Sequence, residues 1–156
     1  NYLESKCCDG KLKKEYEQCL NPASCDVMSC CPVDNTFKII GKKFTIHILR
    51  NMGLLNQSRF NQLLESIEGI NPKTLSIRLR EMERNGLIKR KIYPDTPPRV
   101  EYSVTKKGLA LKPVILAMAE FSMKYCAKDI FKDGKSRTLK QVFNPRIINI
   151  PKEHRR

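Results

Sequence analysis

The sequence predicts a mainly helical α+β domain in which two short helices and a basic β-hairpin are flanked by further helices. Three observations carry this. Apolar residues recur at three- and four-residue spacing from Phe37 to Met82, two alternating stretches follow at 87–93 and 99–105, and a broad apolar stripe resumes after Thr105.

Phe37, Ile40, Phe44, Ile48 and Leu49 form the first helical face, and a break is expected over 51–58. Arg59 to Ile67 is the second helix, with Phe60, Leu63, Leu64 and Ile67 on its inner side and Gly69 closing it through a left-handed cap. Asn71 is suited to N-cap the third helix, and Pro72 to its first position, where a missing N–H costs nothing. That helix runs to about Asn85 and is ended by Gly86; Leu75, Leu79 and Met82 share one face. Lys73, Ile77, Arg80 and Arg84 occupy the opposite face, flanked by Thr74, Ser76 and Arg78. Two helices joined by a short turn, the second lined with cations, form a helix-turn-helix pattern.

In the alternating stretches, Ile88 and Ile92, then Val100, Tyr102 and Val104, are interleaved with polar residues, giving a hairpin with the tip Pro94-Asp95-Thr96-Pro97-Pro98. Lys89, Arg90, Lys91 and Arg99 make that hairpin basic, as a wing would be. The predicted architecture is therefore a winged helix-turn-helix. After the cap at Thr105, Leu111, Val114, Ile115, Met118, Phe121 and Tyr125 form an apolar stripe wider than one small core needs, with a kink or restart at Pro113. We read the surplus as a subunit interface, with ordinary core packing as the alternative.

Charge divides the chain. Of 30 Lys/Arg and 16 Asp/Glu, residues 1–34 hold four and six, which leaves the rest of the chain 16 positive charges in excess. A compact basic body binds polyanions by neutralising phosphates and releasing counterions. We read residues 1–33 as a cysteine-rich segment, 34–128 as the DNA-binding and dimerisation domain, and 129–156 as a basic extension. The longest apolar run, Val114 to Ala119, is far short of the ~20 residues a bilayer requires, and no secretory leader is evident. The expected setting is cytoplasmic, without a membrane partner. Enzyme chemistry has little to work with: the histidines are His47, on an apolar helix, and His154, and no phosphate-binding glycine loop is present.

The helix-turn-helix reading makes the partner double-stranded DNA. Lys73, Thr74, Ser76, Ile77 and Arg78, toward the start of the third helix, are placed for base edges in the major groove, and Arg80 and Arg84 for phosphates. Lys89, Arg90, Lys91 and Arg99 would act on the backbone or minor groove; Arg99 has the alternatives of pairing with Glu101 or anchoring the proline loop. Arg78 has the alternative of a salt bridge within the protein. A rival reading is a chromatin-type protein that coats nucleic acid without sequence preference, carrying a structural metal or cluster site.

Six of the seven cysteines, Cys7, Cys8, Cys19, Cys25, Cys30 and Cys31, fall in the first 34 residues. Under reducing conditions such crowding points to an iron–sulfur cluster, zinc or thiol–disulfide switching rather than a disulfide scaffold. No C-x-x-C spacing is present to select among them. Cys30 and Cys31 are adjacent, so one can resolve an oxidised neighbour. Cys126 is expected to be a small buried hydrophobe.

From Cys31 to Phe121 the wording resembles the HxlR-type winged-helix regulators, relatives of the MarR superfamily. The resemblance rests on Cys31-Pro32-Val33, Ile40-Gly41-Lys42-Lys43-Phe44, Arg59-Phe60-Asn61-Gln62-Leu63, Leu79 through Ile88, Tyr93-Pro94, Pro97 through Thr105, and Gly108. It implies homodimers that bind palindromic operators, an interface of N- and C-terminal helices, and a sensing role for the cysteine before proline, here Cys31. The other N-terminal cysteines and the tail after Cys126 depart from the pattern.

Overall fold

The computed structural model describes residues 31–148. The expectations for Cys7, Cys8, Cys19, Cys25, Cys30 and His154 lie outside the described residues. The chain forms two compact units that divide between Lys43 and Phe44.

In the first unit, α1 spans Pro32–Ile40, with Pro32 in its first turn and Cys31 as N-cap. Its end is set by Gly41, whose missing side chain makes room for the Phe37 ring; a Cβ there would stand 2.8 Å from that ring. The expected single helical face through Phe37 and Phe44 is therefore corrected. Phe37 is 68% exposed, and Phe44 adopts a left-handed backbone, φ 74°, that no helix continues through.

The second unit opens with α2, Thr45–Leu55. It outlasts the break expected from Asn51, because Asn51 is buried inside a hydrogen-bond chain rather than ending the helix. The Asn51 amide donates to Ser66 Oγ at 2.8 Å, and Ser66 Oγ donates to Gln57 Oε1 at 2.7 Å. That chain ties α2 to the end of α3, Phe60–Ser66, and gives the buried Asn51 amide a partner at the half-exposed edge of the two helices. Helix α4, Pro72–Arg84, follows a short turn. Asn71 caps it as expected, its side chain accepting from the Thr74 N–H at 2.8 Å, and Gly86, φ 71°, turns the chain out.

Strands β1, Ile88–Tyr93, and β2, Arg99–Val104, pair antiparallel with Ile88 opposite Val104 and Tyr93 opposite Arg99. The tip contains a cis Thr96-Pro97 bond. Ile92 is 56% exposed, so the expected alternation holds at Ile88 and lapses toward the tip, where the hairpin leaves the body. Helices α5, Lys106–Leu109, and α6, Lys112–Tyr125, follow, and Pro113 marks a restart. Next come α7, Ala127–Ile130, α8, Leu139–Val142, and α9, Pro145–Ile148. Helix α8 lies against α6, so part of the basic extension packs on the domain.

The buried side chains that join the motif to the hairpin are Ile48, Leu49 and Met52 of α2, Leu63 of α3 and Ile67 just after it, Leu75, Leu79 and Met82 of α4, and Leu87 and Ile88 where the hairpin begins; Leu116, Met123 and Ala127 are buried as well. Each fully buried side chain contributes roughly 1.5–3 kcal/mol, which is what holds the two helices of the motif and the hairpin base together. The architecture is a mainly helical winged helix-turn-helix.

Candidate nucleic-acid interface

The surface of α4 follows from its anchoring. With Leu75, Leu79 and Met82 at most 2% exposed, the 3.6-residue period turns Lys73, Ile77, Arg80 and Arg84 outward, and all four are exposed. Ile77, 42% accessible, is the one apolar side chain among the three cations of this face. Thr74 and Ser76 are half-buried at the edges of this face. Arg78 differs from its neighbours: its guanidinium pairs with Glu81 one turn on, and the side chain is only 20% exposed. A base contact from Arg78 requires that pair to open or to be shared.

The wing is braced on one face. Lys91, Tyr93, Arg99 and Glu101 face the same side of the hairpin by strand alternation and register. Lys91 Nζ stands 4.6 Å from the centre of the Tyr93 ring and Arg99 Cζ 4.5 Å, so one aromatic ring positions two cations. Arg99 also reaches Asp95 at 3.2 Å and Glu101 at 3.7 Å, which realises both alternatives weighed for it: it pairs with Glu101 and anchors the tip loop. Lys89 and Arg90 are exposed nearer the base.

Two connections fix the wing to the helices. The Tyr102 N–H donates to Ser58 O at 2.7 Å, joining β2 to the residue pair that precedes α3, and Arg59 lies 3.7 Å from Glu101. At the other end the Thr105 hydroxyl donates to Gly86 O at 2.6 Å and the Lys107 ammonium to Asn85 O at 2.9 Å. Arg59, Tyr93 and Lys107 were not singled out as functional from the sequence. Their roles depend on cross-strand register and on the return of the chain, which periodicity alone does not supply.

Helix α6 turns Leu116 and Met123 inward and leaves Val114, Met118, Phe121 and Tyr125 between 39% and 67% exposed. These four follow one another at spacings of four, three and four, one stripe along the helix, with the Phe121 and Tyr125 rings 5.2 Å apart. Cys31 and Cys126 are both half-buried with free thiols, so Cys126 is less enclosed than expected. His47 is exposed on α2; partial burial and the Arg50 charge hold its pKa below the ordinary value. No helix among the described residues is long and apolar enough to cross a membrane, and those residues contain no cluster of three metal-binding side chains.

The profile of the HxlR-like helix-turn-helix family matches residues 39–130. An HTH-type transcriptional regulator of Synechocystis, sll1512, is 42% identical over 88 residues, which are 56% of this chain and 64% of that relative, so the chain spans just under two thirds of its length. Among solved structures, the reduced form of the transcriptional regulator YodB from Bacillus subtilis superposes with a TM-score of 0.55 at 32% identity, covering 65% of this chain and 98% of that one. The redox regulator HypR in its oxidised form gives 0.54 at 34% identity, covering 59% and 94%.

Proposed function

The chain belongs to the HxlR-like helix-turn-helix family, whose members here are transcriptional regulators rather than enzymes, and from that premise we propose that it binds double-stranded DNA sequence-specifically as a homodimer. The observation that carries this reading is the outward face of α4. Lys73, Ile77, Arg80 and Arg84 stand exposed on a helix whose other side is locked in the core, beside a wing that presents Lys91 and Arg99. The first turns of α4, with Lys73, Thr74, Ser76, Ile77 and Arg78, read base edges, while Arg80, Arg84, Lys89, Arg90, Lys91 and Arg99 meet the backbone. The exposed stripe of α6 supplies the dimer contact, and two-fold symmetry makes the target palindromic. A cytoplasmic setting accords with this role.

Competition binding tests it. A labelled site enriched from random duplexes should resist unlabelled non-specific DNA by a factor of roughly 10³ or more. Equal competition by any sequence would favour the coating protein instead.

A second reading is redox control through Cys31. Its support is the free, half-buried thiol at the start of α1 and the likeness to HypR, a redox regulator. The Cys31 thiolate attacks an oxidant and a second thiol then displaces the reduced group, so that thiolate and thiol together lose two electrons and one proton to the oxidant as the disulfide forms; Cys30 is the sequence neighbour suited to resolve it. An iron–sulfur cluster or zinc on Cys7, Cys8, Cys19, Cys25, Cys30 and Cys31 is the alternative chemistry for the same segment. Diamide treatment that changes operator affinity in the natural chain and not in Cys31→Ser supports thiol control. Metal analysis of anaerobically purified chain addresses the cluster or zinc.

A further inference from the structure

We propose that the cleft between the end of α4, the start of β1 and the turn into α5 binds a small multivalent phosphate anion. The cleft is an open hollow of about 680 Å³ lined by Glu83, Gly86, Ile88, Thr105 and the four cations Lys89, Arg90, Lys106 and Lys107. Four cationic residues and a single carboxylate line this hollow, and the net positive charge they give it draws an anion in. The site is preorganised. The Thr105 hydroxyl holds Gly86 O at 2.6 Å and Lys107 holds Asn85 O at 2.9 Å, so the turn carrying Lys106 is fixed against the end of α4.

The cleft shares Lys89 and Arg90 with the proposed DNA-backbone contacts but lies away from the base-reading turns of α4, since Glu83 is ten residues beyond Lys73, roughly 15 Å along the helix axis. An occupant bridges α4 to the wing, the two elements whose mutual placement a DNA reader depends on. Its chemistry is a chain of phosphates, free or carried by a nucleotide, because point-charge ammonium groups and a guanidinium together recognise phosphate oxygens.

Calorimetric titration of the full chain with sodium triphosphate, at an ionic strength of about 0.15 M, tests the proposal without DNA. We expect saturable binding of one triphosphate per chain, about tenfold or more weaker in a Lys89→Gln/Lys106→Gln double variant and little changed in Lys91→Gln, whose ammonium sits at the Tyr93 ring. Both lysines replaced are exposed, and an unchanged thermal melt checks that the fold is kept. Equal affinity for adenosine triphosphate assigns the site to the phosphate chain alone; tighter nucleotide binding assigns it to a nucleotide. Heats that never saturate, or equal weakening by Lys91→Gln, overturn the proposal whatever the chain does on DNA.

Discussion

Gly108 packs against the carbonyl of Leu87 so closely that a Cβ at position 108 would be driven into that oxygen, and it would stand 2.6 Å from Val104 Cγ1 as well. The same carbonyl accepts the Thr105 N–H at 2.9 Å, so the wing, the end of α4 and the entry to α5 meet at one crowded point. Gly108→Ala therefore has to separate backbone segments. We expect a loss of about 1–3 kcal/mol in urea denaturation, typical of overpacking, and an unchanged midpoint would contradict the packing.

The N-cap of α4 is a single side chain. Asn71→Ala removes the acceptor of the Thr74 N–H and should cost about 1 kcal/mol, whereas Asn71→Asp should retain stability. Thermal melts of the two variants check this, and identical melts would show that the cap contributes nothing.

Asp133 and Arg137 form a two-pronged ion pair at 2.7 and 2.9 Å, with Arg137 also 4.4 Å from the centre of the Phe131 ring. The Arg137 guanidinium, followed by the Lys135 N–H, holds the Asp133 carboxyl down to about 2 from 3.8. A depressed carboxylate contributes stability that is present above 3.8 and lost as pH falls through about 2. Carbon-detected titration should find that midpoint, and Arg137→Gln should return it toward the ordinary carboxylate range. A midpoint insensitive to Arg137→Gln would remove the pair as its cause.

The stripe on α6 predicts assembly. Phe121 is 60% exposed in the single chain and its replacement leaves the inward Leu116 and Met123 untouched. Phe121→Glu should convert a sedimenting dimer into a folded monomer, with the helical circular dichroism preserved. A variant that still sediments as a dimer would move the interface elsewhere.

How much of this was legible in the sequence differs by element. Helix α4 was fully legible because three local signals agree: the Asn71-Pro72 start, the Leu75, Leu79, Met82 period and the Gly86 stop. The break between α1 and α2 was not, because Phe44 continues the apolar period while its backbone turns left-handed, and composition does not register φ. Ile92 obeys strand alternation yet faces solvent, since the hairpin tip has nothing to pack against. In the candidate interface, the exposed cations of α4 could be read from period alone. The Arg78–Glu81 pair and the clustering of Lys91 and Arg99 on Tyr93 depend on rotamers and register, and appear only in three dimensions.

The central claim is that a symmetric dimer places two copies of α4 in successive major grooves. Nuclease footprinting on the enriched DNA site measures this most directly. The account predicts one short protected region with two-fold symmetry and half-sites about 10–10.5 base pairs apart, lost in an Ile77→Asp/Arg80→Asp variant that remains dimeric. Protection that spreads along the duplex with protein concentration, or that survives in that variant, would contradict it.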